Sequence, residues 1–283
     1  MPAPPPDARA QRAVLTHARP TGDDGVVLRV ALPEPSPPLR GARFYMLRRS
    51  DPLSPAIPRP FSVYRRTDEG ELEFLIKVMG RGTRALADAP PGTELVAVGP
   101  LGHGWPTLDG AGAPWVMVGG GIGSVPFYMG IEQALAGMDG APPVRPADIT
   151  FVYGGRTAGL LYDREQFERL GVRVVAATDD GSAGFHGNVV QAIEHEWEAG
   201  RLPRDVRFLA CGPDPMMHAV ARLARSRGLA CWLSLETYMG CGIGICNGCA
   251  VPTAPEGPLG AWPVAKCCVE GPVFAAAALA LGD

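Results

Sequence analysis

The sequence predicts a multidomain β plus α/β chain. It divides into a small Greek-key β-barrel over residues 10–108, a parallel α/β domain over 109–228 and a cysteine-bearing C-terminal domain over 229–283. Up to about residue 100, short strand-like runs are broken by Asp-, Gly- and Pro-rich turns, with almost no helical period. From Trp115 onward, apolar runs alternate with helical stretches, the pattern of a parallel sheet. Near the end stands Cys241-Gly-Ile-Gly-Ile-Cys246-Asn-Gly-Cys249, followed by the pair Cys267-Cys268.

Bulk properties narrow the function. The chain has 283 residues, enough for two or three compact units, and 46% hydrophobic content to build their cores. A net charge of −3 without a basic stripe argues against nucleic acid and against an anionic membrane surface. The longest C-terminal apolar tract, Phe274 to Leu281, is far too short to span a bilayer. The opening Met1-Pro-Ala-Pro-Pro-Pro has neither a basic nor an apolar signal region. Cysteines without an export signal point to a reducing cytoplasm.

Within the first unit, residues 1 to about 10 are Pro- and Ala-rich and expected to fray. The strand runs follow: Ala13-Val-Leu-Thr, Gly25-Val-Val-Leu-Arg-Val-Ala-Leu, Ala42-Arg-Phe-Tyr-Met-Leu, Pro60-Phe-Ser-Val-Tyr, Leu72-Glu-Phe-Leu-Ile-Lys-Val and Glu94-Leu-Val-Ala-Val. The one helical piece begins at Thr83. Arg59-Pro60-Phe61-Ser62 sets a guanidinium, a ring and a hydroxyl at a strand start, a combination suited to a diphosphate and the polar edge of a flavin. Gly80-Arg-Gly82-Thr83 opens the helix, where backbone N–H groups suit a pyrophosphate. Alone, Arg-Pro-Phe-Ser is more often just a strand edge and Gly-x-Gly-Thr just a turn; their order and separation strengthen the flavin reading.

In the second unit, Trp115-Val-Met-Val runs into Gly119-Gly120-Gly121-Ile-Gly123-Ser and then a helix from Phe127 to about Ala136. Strand, glycine turn and helix make a nucleotide-binding unit, although the glycine spacing is not G-x-G-x-x-G. Further strands are predicted at Ile149–Tyr153, Val172–Ala177 and Val206–Ala210, with helices at Arg164–Leu170, Asn188–Glu198 and Pro215–Arg227. Ligands of such sheets lie at the C-terminal strand ends, which here carry Gly120, Gly121, Gly123, Asp180 and Cys211. Asp180 is either a nucleotide contact or a turn cap. Cys211 is either a thiol beside a nicotinamide or a small buried residue closing a strand. Hydride transfer between rings needs positioning more than acid–base chemistry, so no residue is assigned a catalytic role.

The C-x4-C-x2-C spacing with a later cysteine is that of a plant-type [2Fe–2S] cluster, with three thiolates on one tight loop and the fourth from a returning segment. Glycines 240, 242, 244 and 248 suit a loop that turns its N–H groups toward sulfur. Structural zinc more often uses paired C-x2-C knuckles, which this chain lacks. Either Cys267 or Cys268 satisfies the spacing for the last ligand.

Taken in order, Arg59-Pro-Phe-Ser, Gly80-x-Gly-Thr, Gly99-Pro-Leu-Gly, Gly119-Gly-Gly-Ile-Gly and Cys211-Gly-Pro-Asp-Pro-Met resemble the ferredoxin–NADP reductase superfamily. The segment Thr178-Asp-Asp-Gly-Ser and the run from Ser234 through the cysteine loop to Cys268-Val-Glu-Gly-Pro narrow the resemblance. They are similar to the electron-transfer subunits of NAD-dependent, type B dihydroorotate dehydrogenases. That resemblance implies FAD held by Arg59, Pro60, Phe61, Ser62, Leu75, Ile76, Lys77, Gly82 and Thr83, and a cluster on Cys241, Cys246, Cys249 and Cys268. It also implies NAD as the nucleotide, although Arg156 stands where an acidic ribose contact is usual. The implied partner is an FMN-containing catalytic subunit, in a heterotetramer of two plus two, acting in pyrimidine biosynthesis. The alternatives are a differently partnered NAD(P)H:ferredoxin or sulfur-compound reductase, a zinc-holding binding module, and a cluster-based redox sensor.

Overall fold

The computed structural model describes residues 7–52, 54–256, 259 and 263–281. Its first unit is built from β1 (Arg9–Thr21), β2 (Gly25–Ala31), β3 (Phe44–Arg49), β4 (Arg59–Ser62), β5 (Arg65–Arg66), β6 (Leu72–Lys77), helix α1 (Arg81–Ala87) and β7 (Glu94–Leu101). The strands pair antiparallel in the order β4-β3-β7-β1-β2-β6-β5. The sheet curls into a half-barrel, since β4 and β6, far apart in that order, line one cleft. Alternating residues fill its inside, among them Leu15, Leu28, Val30, Tyr45, Leu47, Phe74, Ile76 and Leu95, and Leu86 of α1 closes one end.

The chain is ordered earlier than its proline-rich start suggests. Arg9 to Val14 already pair with β7, and Asp7 accepts two hydrogen bonds from the Arg43 guanidinium, at 2.8 and 2.9 Å. Of the stretch expected to fray, residues 1–6 lie outside the described residues.

One carboxylate is buried in this unit. The Glu73 side chain is 2% exposed and accepts from Arg29 Nε at 3.0 Å and Arg65 Nε at 2.6 Å. Removing a carboxylate that answers two guanidinium groups leaves them partly buried without it. Glu73→Ala is expected to cost about 3–5 kcal/mol, read as a fall in the chemical-denaturation midpoint.

The second sheet has the order β11-β10-β9-β8-β12-β13-β16. Its strands are β8 (Trp115–Gly120), β9 (Ile149–Gly155), β10 (Arg173–Thr178), β11 (Phe185–His186), β12 (Arg207–Cys211), β13 (Cys231–Ser234) and β16 (Val273–Ala275). All pairings are parallel except β13 with β16. Strand residues alternate between two cores. Val116, Val118, Val152, Phe208 and Ala210 face α4 (Val189–Glu198) and α5 (Asp214–Ser226). Trp115, Met117, Phe151, Tyr153 and Leu209 face α2 (Val125–Ala136) and α3 (Arg164–Arg169). The sheet is thus covered by helices on both faces, as a parallel sheet requires.

This sheet does not stop at residue 228. β13 extends it in parallel from β12, and β16, from the end of the chain, pairs against β13. Residues 229–283 therefore share a sheet with the α/β unit, and Cys249, Cys267, Cys268 and Phe274 share its α4–α5 core. Between them a small hairpin, β14 (Ala250–Pro252) with β15 (Val264–Lys266), pairs antiparallel.

A polar latch joins the half-barrel to the second sheet. Asp163 accepts from Arg19 Nη1 at 2.9 Å and from Thr21 Oγ1 at 2.7 Å. Burial opposes its charge, but the bonds from Arg19 and Thr21 outweigh it, and the carboxyl lies below its ordinary value. A depressed folded value stabilises above the unfolded one, and the contribution fades as pH falls through the folded value. Asp163→Asn is therefore expected to lower the melting temperature near neutral pH, by about 1–3 kcal/mol of stability, and to approach wild type in acid.

Candidate functional site

A cleft of about 230 Å³ opens between the half-barrel and the second sheet. Its half-barrel wall is Pro60, Phe61 and Ser62 of β4, Leu75, Ile76 and Lys77 of β6, and Thr83 of α1. Ile122, Val125 and Pro126 come from the glycine turn and α2, and Leu235, Glu236, Thr237 and Met239 from the segment after β13. The walls are mostly apolar with a few polar groups, as a planar aromatic ligand requires. Thr237 Oγ1 is buried with only the Cys267 thiol within reach, leaving hydrogen-bonding capacity that a bound ring's polar edge would use. The residues present therefore fit a flavin.

Arg59 sits apart from the cleft wall, its guanidinium packed on Gly82. A Cβ at Gly82 would lie 2.2 Å from Arg59 Cζ, so glycine lets the two segments touch. The helix α1 begins at Arg81, with Gly80 as its N-cap. Thr83 Oγ1 already accepts from Met79 N at 2.9 Å and Gly80 N at 3.1 Å, so those two N–H groups are occupied within the turn.

On the opposite side, the turn after β8 is wedged against the turn after β12. A Cβ at Gly120 would meet Met216 Sδ at 2.6 Å, and one at Gly123 would meet the Cys211 carbonyl oxygen at 2.4 Å. Gly121, at φ +54°, makes the bend between strand and helix. Cys211 is 2% exposed, and its thiol lies behind the turn rather than in the cleft wall. Burial, then nearby Glu236, pushes that thiol well above its ordinary value. Asp180 lies away from the cleft and accepts from Ser182 N at 3.0 Å and Ser182 Oγ at 2.6 Å, a turn cap.

All seven cysteines are free thiols. The loop from Cys241 to Cys249 turns inward at Gly242 (φ +73°), Gly244 (φ +84°) and Asn247 (φ +56°). Ile243 N and Cys246 N donate to Cys241 Sγ at 3.5 and 3.4 Å, the inward N–H pattern expected around a cluster. The Gly248 N–H, then the Cys241 thiol, pull Cys246 down to about 7.

The β14–β15 hairpin brings the later cysteines back. Its ladder continues one step as Cys267 N donates to the Cys249 carbonyl at 3.0 Å, and Cys268 Sγ then stands 3.2 Å from Cys249 Sγ. Cys267 turns the other way. It is fully buried, its thiol pushed up to about 12 by burial, and its Sγ is 3.6 Å from the Leu235 carbonyl. Among the described residues no three Cys, His, Asp or Glu side chains converge as a set for one ion. The thiols instead lie in two pairs, Cys241 with Cys246 and Cys249 with Cys268, four residues that would hold an iron–sulfur cluster.

Sequence comparison shows what this arrangement belongs to. Residues 236–280 match the model of the iron–sulfur cluster binding domain of dihydroorotate dehydrogenase B, and 117–222 match the oxidoreductase NAD-binding domain. A dihydroorotate dehydrogenase B (NAD(+)) electron transfer subunit from Geobacillus thermodenitrificans is 35% identical, over 84% of this chain and 86% of its own length. The chain belongs to this family. A second member, from Desulforamulus reducens, is 32% identical over 82% of this chain and 83% of its own. An NADH-dependent reduced ferredoxin-NADP oxidoreductase structure superposes with a TM-score of 0.78 at 26% identity, covering 95% of this chain and 89% of that one. The cytochrome b5 reductase domain of Ulva prolifera nitrate reductase shares the fold at a TM-score of 0.63 and 17% identity, over 81% and 97%.

As an oxidoreductase of this family, the chain works with FAD, an iron–sulfur cluster and NAD. No helix among the described residues is long and apolar enough to cross a membrane. Sequence reasoning placed Leu235, Glu236 and Thr237 in the run that resembles the family but did not assign them to the cofactor site. The available signal was their place, directly after a strand whose C-terminal end faces the ligand side of the sheet.

Proposed function

We propose that this chain is the electron-transfer subunit of a type B dihydroorotate dehydrogenase. In this reading it carries electrons from an FMN-containing, dihydroorotate-oxidising partner to NAD⁺ during pyrimidine biosynthesis in the cytoplasm. The observation that carries the reading is one continuous segment. Leu235, Glu236, Thr237 and Met239 line the cleft, and residues 241–249, just beyond them, carry three of the four paired thiols. When bound, the cluster supplies one-electron carriage and FAD the exchange between single electrons and a hydride.

The protein's own part is placement. Cys241, Cys246, Cys249 and Cys268 hold a [2Fe–2S] cluster. Pro60, Phe61, Ser62, Leu75, Ile76, Lys77 and Thr83 hold the flavin, with Arg59 and Gly82 toward its diphosphate. Gly120, Gly121 and Gly123 shape the nicotinamide side, with Cys211 supporting them from behind and Asp180 at the outer rim. The functional units run over 10–108 for flavin, 109–228 for nicotinamide and 229–283 for the cluster, the last two joined by their common sheet. Two copies of each subunit make the complex.

Arg59→Ala is expected to weaken flavin retention by about 1.5–3 kcal/mol, the worth of a charge-assisted contact, measured as FAD per chain after gel filtration. The deciding experiment is NAD⁺ reduction by dihydroorotate, using the chain purified with its native partner and the chain alone. Turnover by the complex only supports the proposal. NADH oxidation without any response to dihydroorotate in either preparation would favour the second reading, a reductase with another partner, which the ferredoxin-NADP oxidoreductase likeness supports.

A further inference from the structure

The doubled cysteine gives the cluster end of the chain two sulfurs that point to different places. Cys268 Sγ meets Cys249 Sγ at 3.2 Å, on the cluster side. Cys267 Sγ, one residue earlier and fully buried, meets the carbonyl oxygen of Leu235 at 3.6 Å, on the flavin side. The backbone at this point is fixed twice, by Cys267 N on the Cys249 carbonyl at 3.0 Å and by Leu235 N on the Pro272 carbonyl at 2.9 Å. Leu235 and Thr237 both line the cleft, and the Thr237 side chain also lies within hydrogen-bonding reach of the Cys267 thiol. A covalent path therefore runs from the Cys268 sulfur through one peptide bond to the Cys267 sulfur, and a single S–H···O contact takes it to the cleft wall.

We propose that Cys267 is a positioning residue whose thiol ties the turn bearing the fourth cluster ligand to the wall of the flavin cleft and thereby sets the route between the two carriers. The proposal rests on the ligand set given above. The step it serves is single-electron transfer: one carrier is oxidised as the other is reduced, and Cys267 forms no bond and keeps its proton. A thiol is a weak donor, so its value here is geometric. Alanine would leave the Leu235 carbonyl without that donor and a gap where the sulfur had packed.

The test uses the full chain with FAD and cluster in place, as wild type, Cys267→Ala and Cys267→Ser. Under anaerobic mixing with NADH, the flavin bleaches first and the cluster colour follows. Cys267→Ala is expected to keep its iron and FAD content and its flavin phase, to slow the cluster phase severalfold, and to shift the cluster's electron-paramagnetic-resonance line shape. Cys267→Ser, which retains an O–H for Leu235, is expected to recover most of the cluster phase. Infrared spectra should show a hydrogen-bonded S–H band in wild type that both variants lack. A cluster phase unchanged in Cys267→Ala, with or without a lower melting temperature, overturns the proposal. Loss of cluster iron in Cys267→Ala with retention in Cys268→Ala would overturn the ligand set instead, and this proposal with it.

Discussion

Cys268→Ser is expected to strip the cluster and leave the flavin, whereas Cys267→Ser keeps both. The two residues are neighbours and both buried, so their sequence context scarcely separates them. Their directions do. Cys268 reaches the Cys249 sulfur, and Cys267 is turned toward Leu235. Losing a group that merely supports a metal ligand costs about 10–100-fold in affinity, and losing the ligand itself costs more. Iron content and the visible spectrum of each variant decide the matter, and dihydroorotate-dependent NAD⁺ reduction should vanish with the iron. A Cys268→Ser protein with a normal cluster spectrum would move the fourth ligand elsewhere.

Gly123→Ala is expected to be strongly damaging, because it wedges the turn after β8 against the turn after β12. Its Cβ would stand 2.4 Å from the Cys211 carbonyl oxygen and 2.6 Å from Gly212 Cα, both backbone atoms with no rotamer to yield. One of the two turns must move. The cost is on the order of 3 kcal/mol, at the upper end for overpacking. On the proposed placement of the nicotinamide against those turns, NADH-to-dye activity should fall together with the melting temperature. Gly121→Ala makes a useful contrast, since a Cβ there meets nothing within 4 Å and the strain comes only from φ +54°. It should cost less.

Much of this architecture was legible where periodicity was strong. Trp115-Val-Met-Val announced β8, and Asn188 at the start of its helix is indeed a cap, accepting from Val190 N and Gln191 N. The cysteine loop was legible because thiolate spacing has few other uses. The rest depended on long-range partners. Cys231-Trp-Leu-Ser is too short to declare itself a strand, and only β12 on one side and β16 on the other make it one. No strand is assigned from sequence in the Pro- and Gly-rich stretch after Cys249. Part of it is a hairpin, while Pro258 lies outside the described residues. Cys211 read as a candidate nicotinamide contact because it ends a strand at the ligand edge. That its thiol points inward follows from strand alternation, once the two cores are known.

The continuity of β13 with β12 has a mechanical consequence. Many redox proteins move a carrier on a tether, so that it visits donor and acceptor in turn. Here the segment leading into the cluster loop leaves the very sheet that shapes the nicotinamide side, and the chain's last strand clamps it from the other side. A cluster held on Cys241, Cys246, Cys249 and Cys268 would therefore ride on this frame rather than on a tether, at a separation from the flavin set by the fold.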